Sequence, residues 1–230
     1  MDQPIKQIVL FSHGFGVAKD SKGLFTDIAA ALGPNIFPVM FDYNDFNDEA
    51  RTMTIKPFSQ QVAIFNQQLQ LLRRDHPGVP ISVVAHSQGC IIAALAKPAG
   101  LDRVILLAPG ETFNIKRMER SFTERLKPER LPDGTVKLSR RDGSSILIPP
   151  DYEPELRPVD PPEEYNDLAT RSRVTLIRAA QDDILGRHVD DSRLSEAITI
   201  VSVDGDHNFN GEARPKLVET VKRLLTVSLS

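Results

Sequence analysis

Short apolar runs alternate along this chain with longer segments whose apolar positions recur every three or four residues. The first run, near 7–12, is Gln7-Ile8-Val9-Leu10-Phe11, a strand pattern that ends in Ser12-His13-Gly14-Phe15-Gly16. Over about 22–33, Leu24, Ile28 and Leu32 repeat at helical spacing, with Ser21 placed as an N-cap and Gly33-Pro34 as the stop. A second strand follows near 36–41, and its internal Pro38 predicts an edge position. Asp42 to Met53 reads as a polar loop. Phe58, Val62, Phe65, Leu69 and Leu72 then predict a long helix over about 57–75, ended by Pro77-Gly78. A third strand over 80–85, a helix over 88–96 and a fourth strand over 104–108 complete the first half.

The rhythm breaks at 111–170. Phe113 to Leu126 is charged and compatible with a helix. Val136-Lys137-Leu138 and Ser145-Ile146-Leu147-Ile148 flank Asp142-Gly143, which predicts a hairpin. A proline-rich stretch covers 149–162. The alternation resumes with strands near 174–177 and 198–203 and a last helix over about 212–226, which buries Leu217, Val221, Leu224 and Leu225. Strands alternating with helices predict a parallel sheet covered on both faces.

Length and composition narrow the classes. A chain of 230 residues suits one α/β domain with a full core. A net charge of −3 gives no reason to expect a nucleic-acid surface or an electrostatic membrane anchor. The insert is net basic over 111–141 and net acidic over 142–170, which reads as a solvated segment that pairs its own charges. Cys90 is the only cysteine, so an internal disulfide or a cysteine metal cluster is excluded. No histidine pair has metal-ligand spacing. Without a leader pattern or a run of about 20 apolar residues, a cytoplasmic protein is expected, with no stable membrane association.

Candidate chemistry falls at strand ends. Ala85-His86-Ser87-Gln88-Gly89 lies between the third strand and its helix. A serine flanked at two positions on each side by small residues is the nucleophile-elbow pattern, in which a strained turn lifts the hydroxyl clear of both elements. A serine hydroxyl needs a base to take its proton, and His207 follows the last strand. A carboxylate must hold that imidazole, and Asp182 and Asp183 compete for the role. Asp206 is a weaker candidate because it directly precedes the histidine. His86 is expected to point away from the site. His76 reads as a helix-end residue, His188 as a surface residue and Cys90 as a small core residue.

These motifs, in the order Ser, Asp, His at successive strand ends, resemble the α/β-hydrolase superfamily on its serine carboxylesterase and lipase side. The resemblance covers nearly the whole chain except the insert. It departs from the usual pattern at Ala85, where a glycine is common. It implies a three-layer α/β/α sandwich with a six-stranded, mainly parallel sheet in the order 2-1-3-4-5-6, without the usual N-terminal hairpin. The core would be 1–110 and 171–230, and 111–170 a cap over the carboxyl edge. Ile184, two positions after the acid, favours Asp182. The resemblance also implies catalytic Ser87, Asp182 and His207, and an oxyanion hole from the backbone amides of Phe15 and Gln88. His13 would brace the first loop, and the Phe15 side chain would help to form the acyl pocket. No cofactor or metal is implied. The expected activity is hydrolysis of carboxylic esters with a small or medium acyl group. A lactonase or acyl-thioesterase using the same triad is the alternative, and a hydrolase-fold ligand receptor or scaffold with little turnover is the alternative of another class.

Overall fold

The computed structural model describes residues 4–110, 128–185 and 191–226. Its main sheet has six parallel strands: β1 (Gln7–Ser12), β2 (Ile36–Met40), β5 (Ile81–His86), β6 (Arg103–Leu107), β10 (Arg173–Ala179) and β11 (Thr199–Val203). Their order is β2-β1-β5-β6-β10-β11, the expected one. The central strands are apolar at nearly every position because both faces are covered. Ile8, Leu10, Val83, Ala85, Val104 and Leu106 enter one core, and Val9, Phe11, Val84, Ile105 and Leu107 enter the other. The first core is closed by helices α2 (Phe58–Asp75) and α3 (Gln88–Leu95), the second by α1 (Leu24–Ala31) and a C-terminal helix, α6 (Ala213–Thr226). Pro38 lies on β2, an edge strand, as predicted.

A second sheet has the order β3 (Asp45–Asn47), β4 (Thr52–Thr54), β9 (Ser145–Ile148), β8 (Val136–Ser139) and β7 (Pro128–Arg130). The predicted hairpin is there: β8 (Val136–Ser139) and β9 (Ser145–Ile148) pair antiparallel, from Val136 opposite Ile148 to Ser139 opposite Ser145. Gly143 takes the positive φ, 82°, that this turn requires. β7 (Pro128–Arg130) extends one side. The other side comes from the stretch expected to be loop, which forms β3 (Asp45–Asn47) and β4 (Thr52–Thr54), and β4 runs parallel to β9. Three-residue strands carry little periodicity of their own, and Met53 finds burial only beside a distant partner.

The expectation for Ser21 changes, and two features carry no sequence prediction. The proline-rich stretch is helical in two places, α4 (Tyr152–Leu156) and α5 (Pro161–Ala169). Pro161 and Pro162 occupy the first turn of α5, where a missing N–H costs nothing. Ser21 does not cap α1. Gly23 is the cap residue, at φ 82°, and the Ser21 side chain turns inward. The cap of α2 is supplied from elsewhere in the chain, because Glu155 on α4 accepts the Ser59 N–H at 2.8 Å and the Ser59 hydroxyl at 3.0 Å. The helix proposed for Phe113 to Leu126 lies outside the described residues. Among the described residues no helix is long and apolar enough to cross a membrane.

Candidate active site

β5 runs into Ser87, which sits at φ 54° and ψ −122°. A non-glycine residue there carries about 1–3 kcal/mol of backbone strain. Its neighbours hold it in place. The Ser87 N–H donates to the Leu107 carbonyl at 2.9 Å, and the Ser87 carbonyl accepts from Cys90 N–H at 3.0 Å. Gly89 lies against β1 so closely that a Cβ would stand 2.1 Å from the Ser12 carbonyl oxygen. The Ser12 hydroxyl in turn donates to the Gly89 carbonyl at 2.9 Å and lies 2.7 Å from the Tyr43 hydroxyl. Burial pushes the Tyr43 phenol well up, so it stays neutral and can donate.

The loop after β11 delivers His207, and the loop after β10 delivers Asp182. His207 Nε2 is 2.9 Å from Ser87 Oγ, and His207 Nδ1 is 2.7 Å from Asp182 Oδ2. Asp182 Oδ1 accepts the N–H groups of Ile184 at 2.9 Å and Leu185 at 2.7 Å. Burial opposes the Asp182 charge, but the bond to His207, its field and these two N–H groups together hold the carboxyl below its ordinary range. A carboxylate there accepts a hydrogen bond from Nδ1–H and so keeps the imidazole proton on Nδ1, which leaves Nε2 as an acceptor for the serine hydroxyl. Asp206 is turned away, with its carboxylate on the N–H and amide of Asn210. Arg214 trusses the histidine loop by donating to the Asn208 and Phe209 carbonyls, each at 3.1 Å, while pairing with Asp27 at 2.7 Å.

No protein-family model matches this sequence, and no curated protein matches it. Solved structures do match in three dimensions. The esterase domain of a Rhodothermus marinus protein is 17% identical with a TM-score of 0.64, over 96% of this chain and 87% of that one. Est1E from Butyrivibrio proteoclasticus, with ferulic acid bound, is 13% identical with a TM-score of 0.68, over 97% of this chain and 90% of that one. An α/β serine hydrolase homologue from Coxiella burnetii is 13% identical with a TM-score of 0.62, over 96% and 85%. The chain has the α/β-hydrolase fold.

In that fold the loop after β1 lies beside the elbow. A Cβ on Gly14 would be 3.1 Å from Ser87 Cβ, which puts the residue before Phe15 against the serine. Gln88, the other expected donor, is the first residue of α3, where helix N–H groups are unspent. His13 holds the loop, with Nδ1 2.9 Å from the Gly14 carbonyl and Nε2 accepting the Tyr43 N–H at 3.1 Å. Burial lowers its pKa, so the imidazole is neutral. On the outer side the Gly16 carbonyl accepts from the Arg140 guanidinium.

Two residues of the hydrolase-fold site were not anticipated. His86 does not point away from it. Its ring lies behind His207, 5.2 Å between centroids, with Nε2 2.9 Å from the His207 carbonyl. The Ser21 hydroxyl, turned inward, is 3.0 Å from Nδ1. The signal lay in the sequence as a polar ring inside an elbow of small residues, but its partner is 121 positions away. Burial, and next the nearby His207, push the His86 pKa down to about 3 from 6.5. Between those values the unfolded chain binds a proton that the folded chain does not. Stability therefore falls as pH drops from 6.5 towards 3, by about 1.4 kcal/mol per unit from this group, and the loss levels off below. Urea unfolding from pH 7 to pH 4 should show a shallower pH slope in His86→Gln than in wild type, and equal slopes would contradict this assignment. Among the remaining candidates, His76 closes α2 with its ring on Phe37, 5.7 Å away. Cys90 is a buried thiol whose pKa burial pushes up, as a core residue should be. His188 lies outside the described residues.

Proposed function

We propose that this protein hydrolyses carboxylic esters through an acyl-enzyme on Ser87. The observation that carries this reading is the unbroken chain from Ser87 Oγ to His207 Nε2 and from His207 Nδ1 to Asp182, on a strained elbow. In the first half-reaction Ser87 Oγ bonds to the ester carbonyl carbon while its proton passes to His207 Nε2. The carbonyl oxygen becomes an oxyanion, held by the backbone N–H groups of Phe15 and Gln88. The tetrahedral species collapses, and the alkoxide leaves with the proton from His207. Water then attacks the acyl group, gives its proton to His207, and a second collapse returns the acid and the Ser87 hydroxyl. Asp182 stays ionised throughout and stabilises the imidazolium.

Residues 111–170 act in this reading as the cap, joined by β3 and β4 because β4 pairs with β9 and β3 with β4. Phe15, Tyr152 and Phe58 make an aromatic wall next to the elbow, with Tyr152 5.7 Å from Phe15 and 5.1 Å from Phe58 between centroids. Acyl groups of small or medium size belong to the same reading. The setting is the cytoplasm and the partner a small-molecule ester. A panel of p-nitrophenyl esters of graded chain length, with matched lactones and thioesters, tests the class. Wild type should turn over the esters at a rate that Ser87→Ala lowers by about 10⁴-fold or more. Equal rates in the two proteins contradict it, and a strong preference for the lactones or thioesters moves the substrate class.

A further inference from the structure

One side chain touches both residues assigned to the oxyanion hole. Tyr152, on α4, packs its ring against Phe15 at 5.7 Å between centroids, and its hydroxyl donates to Gln88 Oε1 at 2.6 Å. Phe15 and Gln88 belong to separate segments, the loop after β1 and the first turn of α3. We infer that Tyr152 is a positioning residue that sets the spacing between these two oxyanion-hole amides. The inference rests on the reading of Ser87 as the nucleophile.

Tyr152 is built as a strut. It is only 6% exposed, and burial raises its phenol pKa, so the hydroxyl keeps its proton and acts as a donor. That proton is committed to Gln88, so the phenol is not a spare acid. The Gln88 carboxamide is held at its other end as well. Its Nε2–H donates to Gln61 Oε1 at 2.8 Å, and Gln61 Nε2–H donates to the Lys56 carbonyl at 2.6 Å. The strut has its own footing on α2, through Phe58 against the ring and Glu155 on the Ser59 N–H. The same outer layer grips the far side of the first loop, where Arg140 bonds the Gly16 carbonyl and the tip of the Ile146 side chain packs on Gly16.

The geometry matters because two amides on unlinked segments have nothing covalent to fix the gap between them. An oxyanion hole works only when both N–H groups already point at the place where charge develops. Displacements of about 0.5–1 Å are enough to lose much of the benefit. Tyr152 ties one amide to the other through side chains that take no part in making or breaking bonds.

The test uses the full chain and two readouts, hydrolysis of p-nitrophenyl butyrate and inhibition by an alkyl trifluoromethyl ketone. The ketone adds to Ser87 and lodges its oxygen in the hole. Tyr152→Phe keeps the ring and removes the bond to Gln88. It should lower kcat about threefold to tenfold, leave KM unchanged and weaken the ketone by the same factor. Gln88→Ala removes the acceptor. Adding Tyr152→Phe to Gln88→Ala should cost nothing further, because the hydroxyl acts through that side chain. Tyr152 is overturned as a positioning residue if active enzyme keeps kcat and ketone affinity within twofold. It is also overturned if KM alone rises, or if the loss persists undiminished in the Gln88→Ala background. Failure of the parent reading looks different: wild type itself would match Ser87→Ala on every ester, and both proposals would fall together.

Discussion

Asp182→Asn should lower kcat by about 10⁴-fold, while Asp183→Asn stays within a few-fold of wild type. The expectation follows from how Asp182 is seated. Its Oδ1 accepts two backbone N–H groups, from Ile184 and Leu185, and Oδ2 faces His207 Nδ1. A substituted amide must keep its oxygen on the two backbone donors, which leaves its NH₂ pointing at Nδ1. The imidazole then places its own proton on Nε2, where it can no longer accept one from Ser87. The geometry stays almost intact and the tautomer is wrong. Steady-state kinetics on one p-nitrophenyl ester decides it. Near-normal turnover in Asp182→Asn with collapse in Asp183→Asn would move the acid to the next residue.

Gly89→Ala should be the most damaging single methyl in the elbow. The added Cβ would meet the Ser12 carbonyl oxygen at 2.1 Å, its carbon at 2.6 Å and the His13 carbonyl oxygen at 2.7 Å. These are backbone atoms of the last residue of β1 and of the residue after it, and β1 lies between β2 and β5, so no side chain can move aside. Either α3 or the end of β1 must shift by an appreciable fraction of an ångström. Overpacking of this kind costs about 3 kcal/mol, at the upper end of its usual range or beyond. The displaced segment carries His13, Gly14 and Phe15, so turnover should fall by about 10²-fold even in the fraction that folds. Thermal unfolding and kinetics on the same preparation check both parts. Gly14→Ala is the milder comparison, since its Cβ would reach the Ser87 Cβ only at 3.1 Å. A Gly89→Ala protein as stable and active as wild type would contradict the close approach of elbow and strand.

The main sheet was legible in the sequence because strands buried on both faces leave unbroken apolar runs, and Pro38 marked its own edge. Ser87, Asp182 and His207 were legible for a related reason. Each sits directly after one of those runs, so the topology alone carries them to one end of the sheet. What could not be read depends on contacts between distant segments. β4 is three residues long and exists because β9 lies beside it. Glu155 caps a helix that begins nearly a hundred residues earlier. Ser21 had the residue type of a helix cap, but a buried acceptor on His86 outcompeted that local use of its hydroxyl. His86 itself was misplaced because facing away from the serine and facing away from the site are different things. The ring turns from Ser87 towards the back of His207.

In the proposed mechanism Ser87 carries the acyl group. The most direct measurement is mass spectrometry of enzyme quenched during turnover of p-nitrophenyl butyrate, with peptide mapping of the adduct. A single butyryl group on the peptide containing Ser87, formed with a burst of p-nitrophenol and absent from Ser87→Ala, is the predicted result. Turnover without any acyl adduct, or with an adduct elsewhere that survives Ser87→Ala, would contradict it.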